Sequence, residues 1–140
     1  MPRTITLIIV HCSATPAGKD YGAEDIDRWH RQRGWSGIGY HYVVRLDGSI
    51  EKGRPEEKIG AHCQGHNRHS LGICYIGGLS ADGSRPQDTR TPEQRASLHA
   101  LLKSLHDSYP RALIVGHNTF AAKACPCYRP EIEYADLQPK

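Results

Sequence analysis

Nine histidines and five cysteines in 140 residues are an unusual supply of soft and borderline metal ligands. Two of them, His11 and His117, each directly follow a short apolar run, and Cys125 lies shortly beyond the second. Strand ends in α/β sheets are where loops assemble sites, so the three can converge from distant positions. Two imidazoles and one thiolate match the donor set of a catalytic zinc, in which three protein ligands leave a fourth position for water; a structural zinc is closed by four. One thiolate offsets one of the two charges of the ion and leaves a positive centre that acidifies water and polarises a carbonyl. Spacing alone leaves the triplet open. There is no C-x-x-C pair and no H-E-x-x-H helix, and the same residues also read as hydrogen-bonded strand-end histidines beside a small apolar cysteine.

The elements that must position these residues follow from the pattern. Residues 7–10 are a β-branched apolar run, too short for a helix and suited to a strand buried on both faces, which delivers His11 to its end. Residues 23–33 place Ile26, Trp29, His30 and Arg33 at helical spacing, and Gly34 follows where a helix stop is expected. Residues 41–46 and 49–51 flank Asp47-Gly48, a strong hairpin signal. Residues 53–70 carry three glycines and His62, His66 and His69 without periodicity, and predict a long loop of the kind that is often functional. Residues 71–76 predict a central strand. Thr91-Pro92-Glu93-Gln94 supplies an N-cap, a proline at the first helical position and a capping-box glutamine. Leu98, Leu101, Leu102, Leu105 and Tyr109 then form a core-facing stripe that ends at Pro110. Residues 112–115 predict a last strand before His117, and residues 123–130 a cysteine- and proline-rich loop.

Composition limits the functional classes. The length suits one domain spanning residues 1–140, and 38% hydrophobic with 24% charged residues is ordinary for a globular chain. A net charge of +3 with interspersed signs argues against a nucleic-acid partner. The start of the chain lacks the apolar segment and cleavage site of a signal peptide, and no run approaches a membrane span, so a cytoplasmic location without membrane insertion is expected. Five cysteines without the spacing of a small secreted scaffold argue against a disulfide framework.

Several motifs occur together: His11-Cys12-Ser13-Ala14-Thr15, Trp29-His30 with Gly34-Trp35, Gly39-Tyr40-His41-Tyr42, Asp47-Gly48-Ser49, Gly60-Ala61-His62, Ser70-Leu71-Gly72-Ile73, Gly77-Gly78 and Lys123-Ala124-Cys125-Pro126. In this order the chain resembles the type 2 N-acetylmuramoyl-L-alanine amidases, in particular the lysozymes of T7-like bacteriophages, which are related to the animal peptidoglycan recognition proteins. The likeness runs from Ile8 to Pro126, nearly the whole chain. It implies an α/β fold with a central mixed β-sheet flanked by helices and zinc in a surface cleft. It also implies a Zn2+-dependent hydrolase that cuts the amide between N-acetylmuramic acid and the L-alanine of the peptide stem. Carried across, His11, His117 and Cys125 match the zinc ligands, Tyr40 the tyrosine beside the metal, and Lys123 the lysine beside the ligand cysteine.

Physical argument gives these residues roles. Lys123 puts a cation near the developing oxyanion, and Tyr40 holds the attacking water or takes part in proton transfer; no glutamate near these motifs is an obvious general base. His62 matches a groove position that contacts substrate, or is an exposed loop histidine. Asn67 and Ser70 contact the peptide stem or serve loop turn chemistry, and Trp35 lines the groove or packs between helix and strand. His30, His99 and His106 are surface or packing residues. His41, alternating with Tyr40, faces the other side of the sheet as a structural residue. Arg28, Arg31 and Arg33 form a solvated helix face, and Cys63 and Cys74 pack. Cys127 departs from the family pattern and sits near enough in sequence to compete with Cys125 for the metal or to pair with it on oxidation; the register of Lys123-Ala124-Cys125-Pro126 favours Cys125. The expected protein is a monomeric phage or prophage endolysin acting on peptidoglycan, held in the cytoplasm until release to the wall. An amidase of muropeptide recycling, a non-catalytic peptidoglycan-binding module and a structural-zinc protein with Cys127 as fourth ligand are the alternatives.

Overall fold

The computed structural model describes residues 3–139; Met1, Pro2 and Lys140, the ends of the expected single domain, lie outside them. In chain order the strands are β1 (Leu7–Cys12), β2 (Thr15–Pro16), β3 (Tyr42–Val44), β4 (Ile50–Lys52), β5 (Ser70–Tyr75), β6 (Gly78–Leu79) and β7 (Leu113–Gly116). The helices are α1 (Ala23–Gln32), α2 (Pro92–Ser108) and the single turn α3 (Pro130–Glu133). Five strands form one mixed sheet in the order β4-β3-β5-β1-β7. β1 lies parallel to both neighbours, with His11 opposite Cys74 of β5 and Val10 opposite Gly116 of β7. Among the described residues of this sheet, the β3–β4 hairpin is the one antiparallel pair. β2 and β6 form a separate parallel pair just beyond the ends of β1 and β5.

Alternation along β1 and β5 sorts the core into two layers. Ile8, Val10, Leu71, Ile73 and Tyr75 face Leu98, Leu101, Leu102 and Leu105 of α2, each fully buried leucine contributing about 1.5–3 kcal/mol. On the other face Ile26 of α1 packs on Val43, Cys74 and Ile76. Beside them Leu7, Ile9 and Val115 are covered by Cys63 of the long loop, so the strip of sheet left for a site is the one that His11 continues.

The expected α2 start is observed in full: the Thr91 hydroxyl accepts the Gln94 N–H and the Gln94 side chain accepts the Thr91 N–H. Buried Gln94 also donates to the Val44 and Ile76 carbonyls and ties α2 to the sheet. α1 ends where Gly34 takes a φ of 90°. The hairpin turns at Gly48, φ 87°; its first strand is shorter than the sequence predicts and its second is shifted by one residue. β1 is longer than predicted and runs through Cys12 because pairing with β5 continues to Tyr75; His11 therefore sits within the strand rather than past it.

Candidate metal centre and groove

His11, nearly fully buried on β1, and His117, the first residue of a 3-10 turn after β7, come together because β1 and β7 pair in parallel. Their ring centroids are 4.5 Å apart. Cys125 approaches from the loop after that turn, and one ligand atom from each of His11, His117 and Cys125 lies within 4.8 Å of the others. Burial lowers the pKa of both imidazoles, with His62 and then His117 adding to the effect at His11 and Lys123 at His117. Both histidines are therefore neutral at pH 7, the form in which a ring nitrogen can bind a cation. The Cys12 N–H donates to Cys125 Sγ at 3.1 Å, which fixes the sulfur beside the two imidazoles.

The Cys125 loop is held from several sides. Tyr75 Oη donates to the Pro126 carbonyl at 2.7 Å, and the Asn118 amide donates to the Tyr128 carbonyl at 3.3 Å. The buried Arg90 guanidinium lies 3.4 Å from the Tyr128 ring centroid and bonds both Asp88 and Glu133. Cys127 is turned away, its sulfur donating to the Gly78 carbonyl at 3.3 Å. Burial first, then the Cys12 sulfur, pushes its pKa up to about 12.

Behind His11 stands His62, with Nδ1 2.9 Å from His11 Nε2. Its Nε2 lies 3.2 Å from Ser70 Oγ, and burial holds its pKa down near 3. Ser70 is completely buried; this removes it from direct contact with a peptide stem and corrects the expectation, because its hydroxyl serves His62. Asn67 Oδ1 accepts the N–H groups of His62 and Cys63 at 3.0 and 2.9 Å, the turn chemistry allowed for it, while the residue also borders the groove.

Tyr40 flanks His11 with ring centroids 5.0 Å apart, and burial raises its pKa well above the ordinary value. His30 packs behind it, 5.6 Å between centroids, and accepts the Gly39 N–H on Nδ1. His41 is structural, bonding Gly72 N–H and the Lys58 carbonyl. Its ring nevertheless lies 5.9 Å from that of His62, and both rings crowd Gly60, because strand alternation begins only at Tyr42.

In front of His117 a groove of about 650 Å³ is lined by Trp35, His62, Asn67, Phe120 and Lys123 among others. Trp35 and Phe120 are 39% and 37% exposed, and Phe120 stacks on His66 at 3.9 Å. Phe120, absent from the sequence expectations, is the one phenylalanine of the chain and sits on the turn that carries His117, the signal that would have found it. A second cleft of about 470 Å³, on the side where the chain enters β1, is lined by Arg3, Tyr42, Glu56 and Tyr109. Its Glu56 carboxylate is already taken by both tyrosine hydroxyls.

A family model described as N-acetylmuramoyl-L-alanine amidase matches residues 1–128. An endolysin of Enterobacteria phage K11 is 43% identical over 119 residues, covering 85% of this chain and 78% of its own length. The endolysin of Escherichia phage T7 is 40% identical over 121 residues, 86% of this chain and 80% of that one. Among solved structures, the N-acetylmuramoyl-L-alanine amidase LysC from Clostridium intestinale superposes with a TM-score of 0.80 at 32% identity, covering 99% of this chain and 88% of that chain.

Proposed function

The chain belongs to the N-acetylmuramoyl-L-alanine amidase family, and from that premise we propose that it is a zinc-dependent phage or prophage endolysin that frees peptide stems from peptidoglycan. His11, His117 and Cys125 are its metal ligands. The observation that carries the reading is the convergence of two neutral imidazoles and one sulfur within 4.8 Å at the inner end of an open groove. That donor set fits zinc with one position left free, and two imidazoles with one thiolate leave the centre positive. When bound, zinc supplies Lewis acidity toward the amide carbonyl and makes water acidic enough to react at neutral pH.

The chain's own residues do the rest. Hydrolysis adds the oxygen of water to the lactyl carbonyl and passes a proton to the departing L-alanine nitrogen. Tyr40 stays protonated at neutral pH, so its hydroxyl acts beside His11 as a hydrogen-bond donor that orients water or the carbonyl. Lys123, on the rim next to His117, places its ammonium near the oxygen that gains charge. Trp35 and Phe120 form the apolar walls that hold the glycan and the stem. No helix among the described residues is long and apolar enough to cross a membrane, and the proposed site of action is the cell wall, reached after release from the cytoplasm.

Digestion of purified peptidoglycan with and without chelator tests this reading. Mass analysis is expected to show free peptides beginning at L-alanine, lost on chelation and restored by zinc. Cleaved sugar linkages, or chelator-resistant cleavage, contradict it.

A further inference from the structure

His62 was expected to touch substrate, and its edge does border the groove. Its ring nitrogens, however, are both committed inward. Nδ1 faces His11 Nε2 at 2.9 Å and Nε2 faces Ser70 Oγ at 3.2 Å. The two rings stand perpendicular, with centroids 4.9 Å apart. The slot that holds the ring admits almost nothing else: a Cβ on Gly60 or on Gly72 would lie 2.6 Å from His62 ring atoms. The backbone entering the slot is pinned by Asn67 Oδ1 on the His62 and Cys63 N–H groups.

One atom of each contacting pair must carry the hydrogen. A histidine that offers a lone pair to a cation through one nitrogen carries its hydrogen on the other. With His11 Nε2 turned to His62, the hydrogen belongs there and His62 Nδ1 must accept it. The hydrogen of neutral His62 then lies on Nε2 and points at the Ser70 oxygen, which accepts. Every contact in the row Ser70–His62–His11 is thereby satisfied in one direction only.

We propose that His62 is a positioning residue for the metal centre: it accepts the His11 N–H and so fixes both the ring angle of His11 and the nitrogen left to bind zinc. The inference rests on the proposed zinc site. A neutral imidazole in this place orients His11 without adding the negative charge of the carboxylate found behind many metal-bound histidines, so the centre keeps its positive charge.

Zinc affinity of the purified chain, measured by competition with a chromophoric chelator, tests this without any hydrolysis assay. His62→Asn sets an amide oxygen near the position of Nδ1, whereas His62→Gln sets it farther out, near Nε2, and leaves the His11 N–H without its acceptor. Loss of a partner behind a metal ligand weakens metal binding by about 10- to 100-fold; that loss is expected for His62→Gln and His62→Leu, with His62→Asn recovering most of the affinity. The visible spectrum of the cobalt-substituted protein should change for His62→Gln and stay near the parent for His62→Asn. Equal zinc affinity in the Asn and Gln variants overturns the inference, as does parent-like affinity in all variants with only KM raised, the result of a substrate contact. A parent chain that takes up no zinc overturns the metal centre and this inference with it.

Discussion

Cys125 and Cys127 lie two positions apart in the chain, yet their sulfurs serve different purposes. Cys125 Sγ receives the Cys12 N–H inside the His11–His117 group, whereas Cys127 Sγ bonds the Gly78 carbonyl outside it. Cys125→Ser is therefore expected to abolish stoichiometric zinc binding and Cys127→Ser to retain it, as read by metal analysis after dialysis; the reverse pattern would transfer the ligand role. Lys123 and Tyr40 act on the reaction without holding the metal. Lys123→Ala should lower kcat by about 100-fold, the loss typical of one donor to a developing oxyanion, with zinc content unchanged. Tyr40→Phe should also lower kcat with zinc retained, and parent-level turnover in it removes the hydroxyl from the mechanism.

At the scale of elements, parallel pairing of β1 with β7 sets the distance between the two histidines, but strand pairing does not carry Cys125, which meets the sheet through the Cys12 N–H at the end of β1. That task falls to the loop before α3, anchored by Tyr75, Asn118 and the Arg90 cluster. Arg90 has almost no exposed side-chain surface and joins Asp88 and Glu133. Breaking a buried pair by removing one partner costs about 3–5 kcal/mol. Because both carboxylates here are partly exposed, Arg90→Met should cost less, about 1–3 kcal/mol, in urea unfolding. A value near zero would show that the loop stands without the cluster.

At the scale of the whole molecule, neutral histidines under the α1 face make stability depend on pH. His30 has its pKa lowered to about 4, by burial first and then by Arg33 and Arg54, and His62 is lowered to about 3. Below an unfolded-state pKa of about 6.5 the unfolded chain binds protons that the folded chain refuses. Stability is thus full above that value and falls as pH drops toward 4 and then 3. The metal-free protein should lose urea resistance steadily from pH 7 to pH 4. His30→Asn, which keeps an acceptor for the Gly39 N–H and cannot titrate, should show a flatter decline; an unchanged slope assigns the effect elsewhere.

Local chemistry was enough to read much of this molecule in advance. The capping box and leucine stripe specify α2 from neighbours a turn apart, Asp47-Gly48 specifies the hairpin, and the short apolar runs specify the central strands, since each signal acts within a few residues. Residue type marked His11, His117 and Cys125 as possible donors, but it left the set open among nine histidines and five cysteines, and the resemblance to the amidase family singled it out. Convergence was not legible, because it depends on which strands pair. The parallel registers of β1 with β5 and β7 bring His11 and His117 together from about a hundred positions apart and set Ser70 at the buried start of β5, while the folded loop before α3 brings in Cys125 and gives the Cys127 sulfur to the Gly78 carbonyl. The direction of the His62 ring was likewise decided only in three dimensions. Two glycines and an asparagine cap close its slot, and those contacts exist only after the long loop has folded onto the sheet.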